Sequence, residues 1–196
     1  MYGYLVPNSI GYLEDDKPRM VKTPWSDTEM PFEKAAEIGT KKVIEEHSTI
    51  GILITTDGSF TDIPREDYIQ AEERVVSELR AINKPFIVLL NSAHPNDSET
   101  KQLAANLCEK YESTVLPINC AELDISDITN IFSKILYEFP VNQVNFSFPK
   151  WINGLDFSHP LKQELFSQIQ NAFNNITLLK EAKKCSSLIN QTNIIT

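Results

Sequence analysis

Three times between Ile50 and Phe139 a run of apolar residues is followed by a helix-period stretch, and few folds accommodate that alternation. Ile50-Gly51-Ile52-Leu53-Ile54 is nearly unbroken apolar and closes on Thr55-Thr56-Asp57-Gly58, the pattern of a strand buried on both faces and stopped by a turn. Pro64 then opens a helix with Tyr68, Val75, Leu79 and Ile82 on one stripe and Glu72, Glu73 and Arg80 on others. Phe86-Ile87-Val88-Leu89-Leu90 is the second buried run and leads to Asn91-Ser92. Asp97 or Ser98 caps the next helix, in which Leu103, Leu107 and Tyr111 recur every four residues. Thr114-Val115-Leu116-Pro117-Ile118 is a shorter strand, and Pro117 lacks the amide that a central ladder needs, so it belongs at an edge. The last helix starts at Asp124 and Asp127, with Ile128, Ile131, Ile135 and Phe139 expected to pack back on the sheet and Pro140 limiting its end. Parallel strands with right-handed crossovers, in an α/β sandwich, follow from this order.

The flanks read differently. Residues 1–30 carry Pro7, Gly11, Pro18 and Pro24 among polar residues and are expected to be irregular. A helix should run from Pro31 to near His47, with Phe32, Ala35, Ala36 and Ile44 as its apolar face. Nothing in that stretch reads as a first buried strand with a phosphate-gripping loop, so the strand at Ile50 is expected to be left as an apolar edge unless another chain covers it. After Pro140 the period changes. Val141 to Trp151 alternates like an extended segment, with Val144, Phe146 and Phe148 on one side, and a helix from Ser158-His159-Pro160 aligns Leu161, Leu165, Ile169, Phe173 and Ile176. Residues 141–184 therefore read as the beginning of a second domain, and 185–196, rich in Ser, Asn and Thr, as a disordered tail.

Composition narrows the function classes. A net charge of −9 over 196 residues, with basic clusters only as short as Lys41-Lys42 and Lys183-Lys184, argues against nucleic acid as a direct partner. No apolar run approaches the roughly 20 residues that span a bilayer, so no transmembrane segment is expected and the cytoplasm is the expected location. Cys108, Cys120 and Cys185 form no CxxC pair and have no zinc-like spacing with His47, His94 or His159, which signals neither a disulfide framework nor a metal site.

In open parallel sheets, ligands sit beyond the carboxyl ends of the strands. Those ends carry Thr55, Thr56 and Asp57, then Asn91 and Ser92, then Asn119, Cys120 and Ala121. As isolated residues, Asp57-Gly58 and Asn91-Ser92 are ordinary turn and cap residues. A receiver domain with Asp57 as phosphoacceptor and Ser92 as switch hydroxyl would need a lysine where Asn119 stands. A calcium loop beginning at Asp57 would need Gly where Asp62 stands and Glu where Tyr68 stands. A GTPase-like sheet instead calls for Asn-Lys-x-Asp after one strand and Ser-Ala after the next. Asn91-Ser92-Ala93-His94 keeps the asparagine and Asn119-Cys120-Ala121 keeps a small-residue version of the second element. Without the aspartate, guanine loses the acceptor for its N–H donors, and ATP becomes permissible.

Longer strings carry more. Lys22-Thr23-Pro24-Trp25, Pro31-Phe32-Glu33-Lys34-Ala35-Ala36-Glu37-Ile38-Gly39-Thr40, His47-Ser48-Thr49-Ile50-Gly51, Thr55-Thr56-Asp57-Gly58, Asp67-Tyr68-Ile69-Gln70-Ala71-Glu72-Glu73-Arg74-Val75 and Lys84-Pro85-Phe86-Ile87 closely resemble stage IV sporulation protein A over about residues 2–180. The tail from Cys185 does not resemble the family's continuation. The resemblance implies that residues 1–140 are the C-terminal part of a P-loop NTPase domain, a GTPase-like three-layer sandwich, followed by the start of a middle domain. It implies a sporulation protein that hydrolyses ATP with magnesium and self-associates into the basement layer of the spore coat. Its expected place is the mother-cell side of the forespore outer membrane surface, held by a small amphipathic membrane-anchoring peptide and recruiting coat proteins.

The family's catalytic parts are GxxxxGK[ST], threonines that sense the γ-phosphate, and Asp-x-x-Gly for magnesium. Only Gly3 matches the last of these, and no GxxxxGK[ST] occurs in the 196 residues. The catalytic residues are thus expected upstream, with Gly3, Asn91, Ser92, Asn119, Cys120 and Ala121 as the nucleotide-side residues here. Such a fragment is expected to bind ATP weakly and not to hydrolyse it alone. A non-enzymatic assembly module and an inactive remnant are the alternatives. Thr23 matches a family position without an assignable role.

Overall fold

The structure is a computed structural model that describes residues 3–174 and 176–182. The chain divides into two compact units, Met1–Ile135 and Leu136–Thr196. In the first, the segment expected to be irregular forms two small antiparallel hairpins. β1 (Leu13–Glu14) pairs with β2 (Lys17–Pro18), and β3 (Met20–Thr23) pairs with β4 (Ser26–Pro31). The first turn is made by Asp15 and Asp16 at φ 48° and 57°. Two consecutive left-handed residues match the twist of a tight hairpin, and short polar Asp tolerates that conformation. α1 (Phe32–Lys42) follows and continues as one wide turn over Val43–His47. The Lys84 ammonium closes that turn by donating to the carbonyls of Ile44 and Ser48.

The parallel sheet has the order β5 (Gly51–Thr56), β6 (Phe86–Asn91), β7 (Val115–Ile118), with α2 (Arg65–Ala81), α3 (Ser98–Tyr111) and α4 (Ile125–Tyr137) following the strands in turn. β7 is an edge, as Pro117 requires. One sheet face is closed. Leu53, Val88 and Leu90 gather with Val76 and Leu79 of α2 and Ala104, Leu107 and Tyr111 of α3 into the core. Gly51 is glycine because of this packing: a Cβ there would stand 2.9 Å from a Leu79 methyl and 3.1 Å from Phe86 Cβ.

Side chains alternate across a strand, so Ile52, Ile54, Ile87 and Leu89 share the other face. There β5 departs from the expectation of two buried faces: Ile52 is 46% and Ile54 47% exposed, because no described element covers them. α4 departs similarly. Ile131 and Ile135 are buried, but Ile128, Phe132 and Leu136 are exposed, so its apolar surface is wider than the stripe facing inward. Glu72, expected on an outer stripe of its helix, lies inside at 3% exposure. Arg65 Nη2 stands 2.8 Å from both carboxylate oxygens, well aligned with Oε1 alone, and the Tyr111 hydroxyl donates to the same oxygen at 2.5 Å. A buried carboxylate needs such partners, and the helical stripe alone does not reveal them.

In the second unit, residues 142–148 form neither helix nor ladder and lead to a short helix, α5 (Lys150–Asn153), then to α6 (Pro160–Phe173). Phe146 packs edge-on against Phe173 at 5.1 Å, and Phe148 against Phe166 at 5.6 Å. The unit begins with an antiparallel bridge between Pro140 and Leu178. Lys180 pairs with the buried Glu138 at 2.9 Å. The tail from Cys185 lies outside the described residues.

Candidate functional site

The carboxyl ends of the three strands place three loops side by side, and their polar side chains bind mostly to one another. After β5, Thr56 Oγ1 accepts the Gly58 amide at 3.0 Å and Asp57 Oδ1 accepts the Ser59 amide at 2.9 Å and hydroxyl at 2.6 Å. Gly58 sits at φ 91°, a turn conformation that side chains resist. Ser59 then reaches the next loop, where its hydroxyl accepts the Ala93 amide at 2.8 Å. Ser92 is fully buried, accepts the His94 amide at 2.9 Å and lies 3.4 Å from Thr100 on the first turn of α3. The third loop is held by Asn91, whose Oδ1 accepts the Cys120 amide at 2.9 Å. Asn119 closes its own turn, accepting from Ala121 at 3.0 Å and donating to Glu122 at 3.2 Å.

Burial acts to raise the Asp57 carboxyl's pKa. Hydrogen bonds from the Ser59 hydroxyl, Ser92, the Ser59 amide and Thr100 outweigh it, and the group ends below the usual carboxylate value. It is therefore an anion that locks two loops together. Burial raises the Cys120 thiol, which stays protonated at neutral pH. Cys108 and Cys120 are both free thiols.

The structure thus brings Asn91, Ser92, Asn119, Cys120 and Ala121 into one rim. Gly3 is not part of that network. Its carbonyl accepts from Thr40 of α1 at 3.2 Å, and it lines grooves beside that helix. Thr23 lines one of these grooves with Trp25 and Phe32, and its hydroxyl is buried without a hydrogen-bond partner among the described residues. Sequence reasoning passed over Ser59 and Thr100 as loop-bracing residues, although the Asp57-Gly58-Ser59 turn pattern marked the first of them.

A second feature adjoins this rim. Among the described residues β5 is bonded on one edge only, and along its other edge runs a groove of about 410 Å³ lined by Gly3, Thr40, Ile52, Ile54, Thr55 and Glu72 among others. Thr55 is 5% exposed, and its hydroxyl has no hydrogen-bond partner among the described residues.

Comparison with known proteins fits this geometry. The family model described as stage IV sporulation protein A, ATPase domain, matches residues 1–140, and the model of that protein's middle domain matches 141–196, which corrects the expectation that the tail from Cys185 departs from the family. The chain belongs to the stage IV sporulation protein A family. Proteins of that name from Clostridioides difficile (strain 630) and Bacillus anthracis are 45% and 44% identical to it over 91% and 93% of its length. The protein of that name from Bacillus subtilis (strain 168) is 43% identical over 93%. The chain spans only 36–37% of the length of these relatives. No solved structure matches it. The parallel sheet with flanking helices is the α/β, P-loop NTPase-like arrangement that membership of the stage IV sporulation protein A family implies.

A nucleotide and magnesium fit this piece of the family unequally. The rim's side chains are small, and the amides of Ala93, His94, Cys120 and Ala121 are taken up by Ser59, Ser92, Asn91 and Asn119. The described residues hold no grouping of three His, Cys, Asp or Glu side chains, and Asp57 already spends its oxygens on Ser59 and Thr100. Magnesium therefore does not fit these side chains among the described residues. No helix among them is long and apolar enough to cross a membrane.

Proposed function

We propose that this chain is the base-facing portion of an ATP-hydrolysing domain in a spore coat morphogenetic protein. That protein self-assembles into the basement layer of the coat, on the mother-cell side of the forespore outer membrane surface. A small amphipathic membrane-anchoring peptide and coat proteins are its partners, by family membership. The observation that carries the reading is the free edge of β5, where a groove, the exposed Ile52 and Ile54, and the unpartnered Thr55 hydroxyl adjoin the nucleotide-side rim.

A parallel strand paired to that edge would bury apolar surface and deliver its following loop to the same end of the sheet as Asn91, Ser92, Asn119, Cys120 and Ala121. Those residues form the wall for the base, with Gly3 approached by the incoming segment. In this reading neither a phosphate clamp nor a magnesium seat is assigned to these 196 residues. Residues 1–140 and 141–184 act in this reading as the rear of the ATPase domain and the opening of the middle domain. The absence of GxxxxGK[ST] from the sequence also favours a second reading, an assembly module without catalysis.

Phosphate release separates the two. The 196-residue chain alone is expected to show no turnover. A chimera in which the residues preceding the matched region of the Bacillus subtilis relative are joined before Met1 is expected to hydrolyse ATP. Turnover by the chain alone comparable with the intact relative overturns the proposal, and an inactive chimera that folds leaves the assembly module.

A further inference from the structure

In the second unit, residues 141–149 belong to no helix and no ladder. Beyond the bridge at Pro140 and the bond from the Val141 amide to the Thr177 carbonyl at 2.9 Å, side chains two apart meet on each side, Phe146 with Phe148 at 6.4 Å between ring centroids and Gln143 with Asn145 at 2.7 Å, as alternation along a strand-like chain places them. Among the described residues, no backbone hydrogen bond partner meets residues 142–148. Phe146 and Phe148 pin one side of the segment to α6, while Gln143, Asn145 and Ser147 stand exposed on the other. Its backbone groups are thereby left unpaired beside anchored side chains, as on an edge that can accept another strand.

We propose that residues 141–148 form a homotypic antiparallel contact with the same segment of a second copy of this chain. The inference deepens the self-assembly part of the proposed function by naming the contact, and rests on that reading only for its biological setting. Charge selects the occupant. The chain carries a net charge of −9 and 23% charged residues, yet Val141-Asn142-Gln143-Val144-Asn145-Phe146-Ser147-Phe148-Pro149 contains none. Two acidic copies repel wherever their charged surfaces meet, and this strip lets them meet without that penalty. A strongly charged partner would gain nothing from it.

Pattern agrees with charge. In an antiparallel pair centred on Asn145, Val144 of one copy lies across from Phe146 of the other and Gln143 across from Ser147, so the apolar side stays on one face. Val144 and Phe146, 39% and 41% exposed in the single chain, become each other's cross-strand cover. Such a contact is isologous, using one patch twice. Pro140 and Pro149 bracket it and stop the ladder from lengthening.

The test uses the whole 196-residue chain. Sedimentation velocity over a wide concentration range should show reversible dimers, with alternate amides of residues 142–148 protected from hydrogen exchange in the dimer and open in the monomer. The double variant Asn145→Lys with Ser147→Lys places like charges opposite one another while leaving the Phe contacts to α6 intact. It should weaken dimerisation on the order of tenfold or more with an unchanged circular dichroism spectrum. The matching Glu variants should fail alone as well, and an equimolar mixture of Lys and Glu chains should recover the dimer. If the Lys variant does not fold, the Glu variant carries the same comparison. A chain that stays monomeric, dimers insensitive to both variants, or dimers in which these amides exchange freely overturn the proposal. Phosphate release by the chimera is read separately, so either idea can fail alone.

Discussion

Ile52 and Ile87 are register partners on neighbouring strands and face the same side of the sheet, as do Ile54 and Leu89. On β6 these side chains are 0% and 5% exposed, whereas on β5 they are 46% and 47% exposed. The residue types and the backbone are alike, and only the cover differs. On the other face the two strands are equally closed, with Leu53 and Val88 beneath α2 and α3. The first unit is thus complete on one side and open along β5 on the other. A strand's apolar run records what it can bury against, and the rest of the fold decides whether that surface is met.

Breaking the closed side has the largest expected effect. Arg65→Met leaves the Glu72 carboxylate buried with Tyr111 as its remaining polar partner and should cost about 3–5 kcal/mol, read by urea unfolding. A cost under about 1 kcal/mol would mean that water reaches Glu72 and the closed face is looser than its packing implies. Next in size is a paired comparison. Leu79→Ala, at 2% exposure, should cost about 2–5 kcal/mol. Ile54→Ala on the open face should cost about 1 kcal/mol or less, since about half of its side chain is already in water. Equal losses at the two positions would show that β5 is covered in solution and would erase the contrast.

The smallest effect is electrostatic and sits at the rim. Asp57 has its folded pKa held below the ordinary carboxylate value, so its stabilising contribution is complete above about pH 4, where the unfolded group ionises. It is lost as pH falls through the lower folded value. Asp57→Asn should flatten the acid limb of the stability profile and speed hydrogen exchange at Ser59 and Ala93. An unchanged acid limb would separate Asp57 from the bracing of these loops.

Much of this was readable in the chain. The three strand–helix repeats follow from apolar runs and helical stripes, and Pro117 marked β7 as an edge because a missing amide is a local property. The hairpins of residues 13–31 escaped because their strands are short and largely polar, so no period announces them. Their one clue was the Asp15-Asp16 turn. Glu72 was assigned to an outer stripe, since its partners come from one residue seven positions earlier and another 39 positions later. At the rim, sequence position marked Asn91 and Asn119 as strand-end residues. That their side chains hold loops together is a matter of three-dimensional contact.

Local chemistry along the chain was enough to set the alternation of strands and helices, the edge proline, the uncharged run before α5 and the family resemblance. These depend on neighbours within a few positions, where periodicity, backbone restriction and charge act directly. The apolar edge at β5 was expected from the sequence, whereas the buried Arg65–Glu72–Tyr111 group and the stitching of three loops by Ser59 and Asn91 were decided by the tertiary structure alone. Burial and hydrogen-bond satisfaction belong to pairs of distant residues, and no single stretch of sequence contains both members.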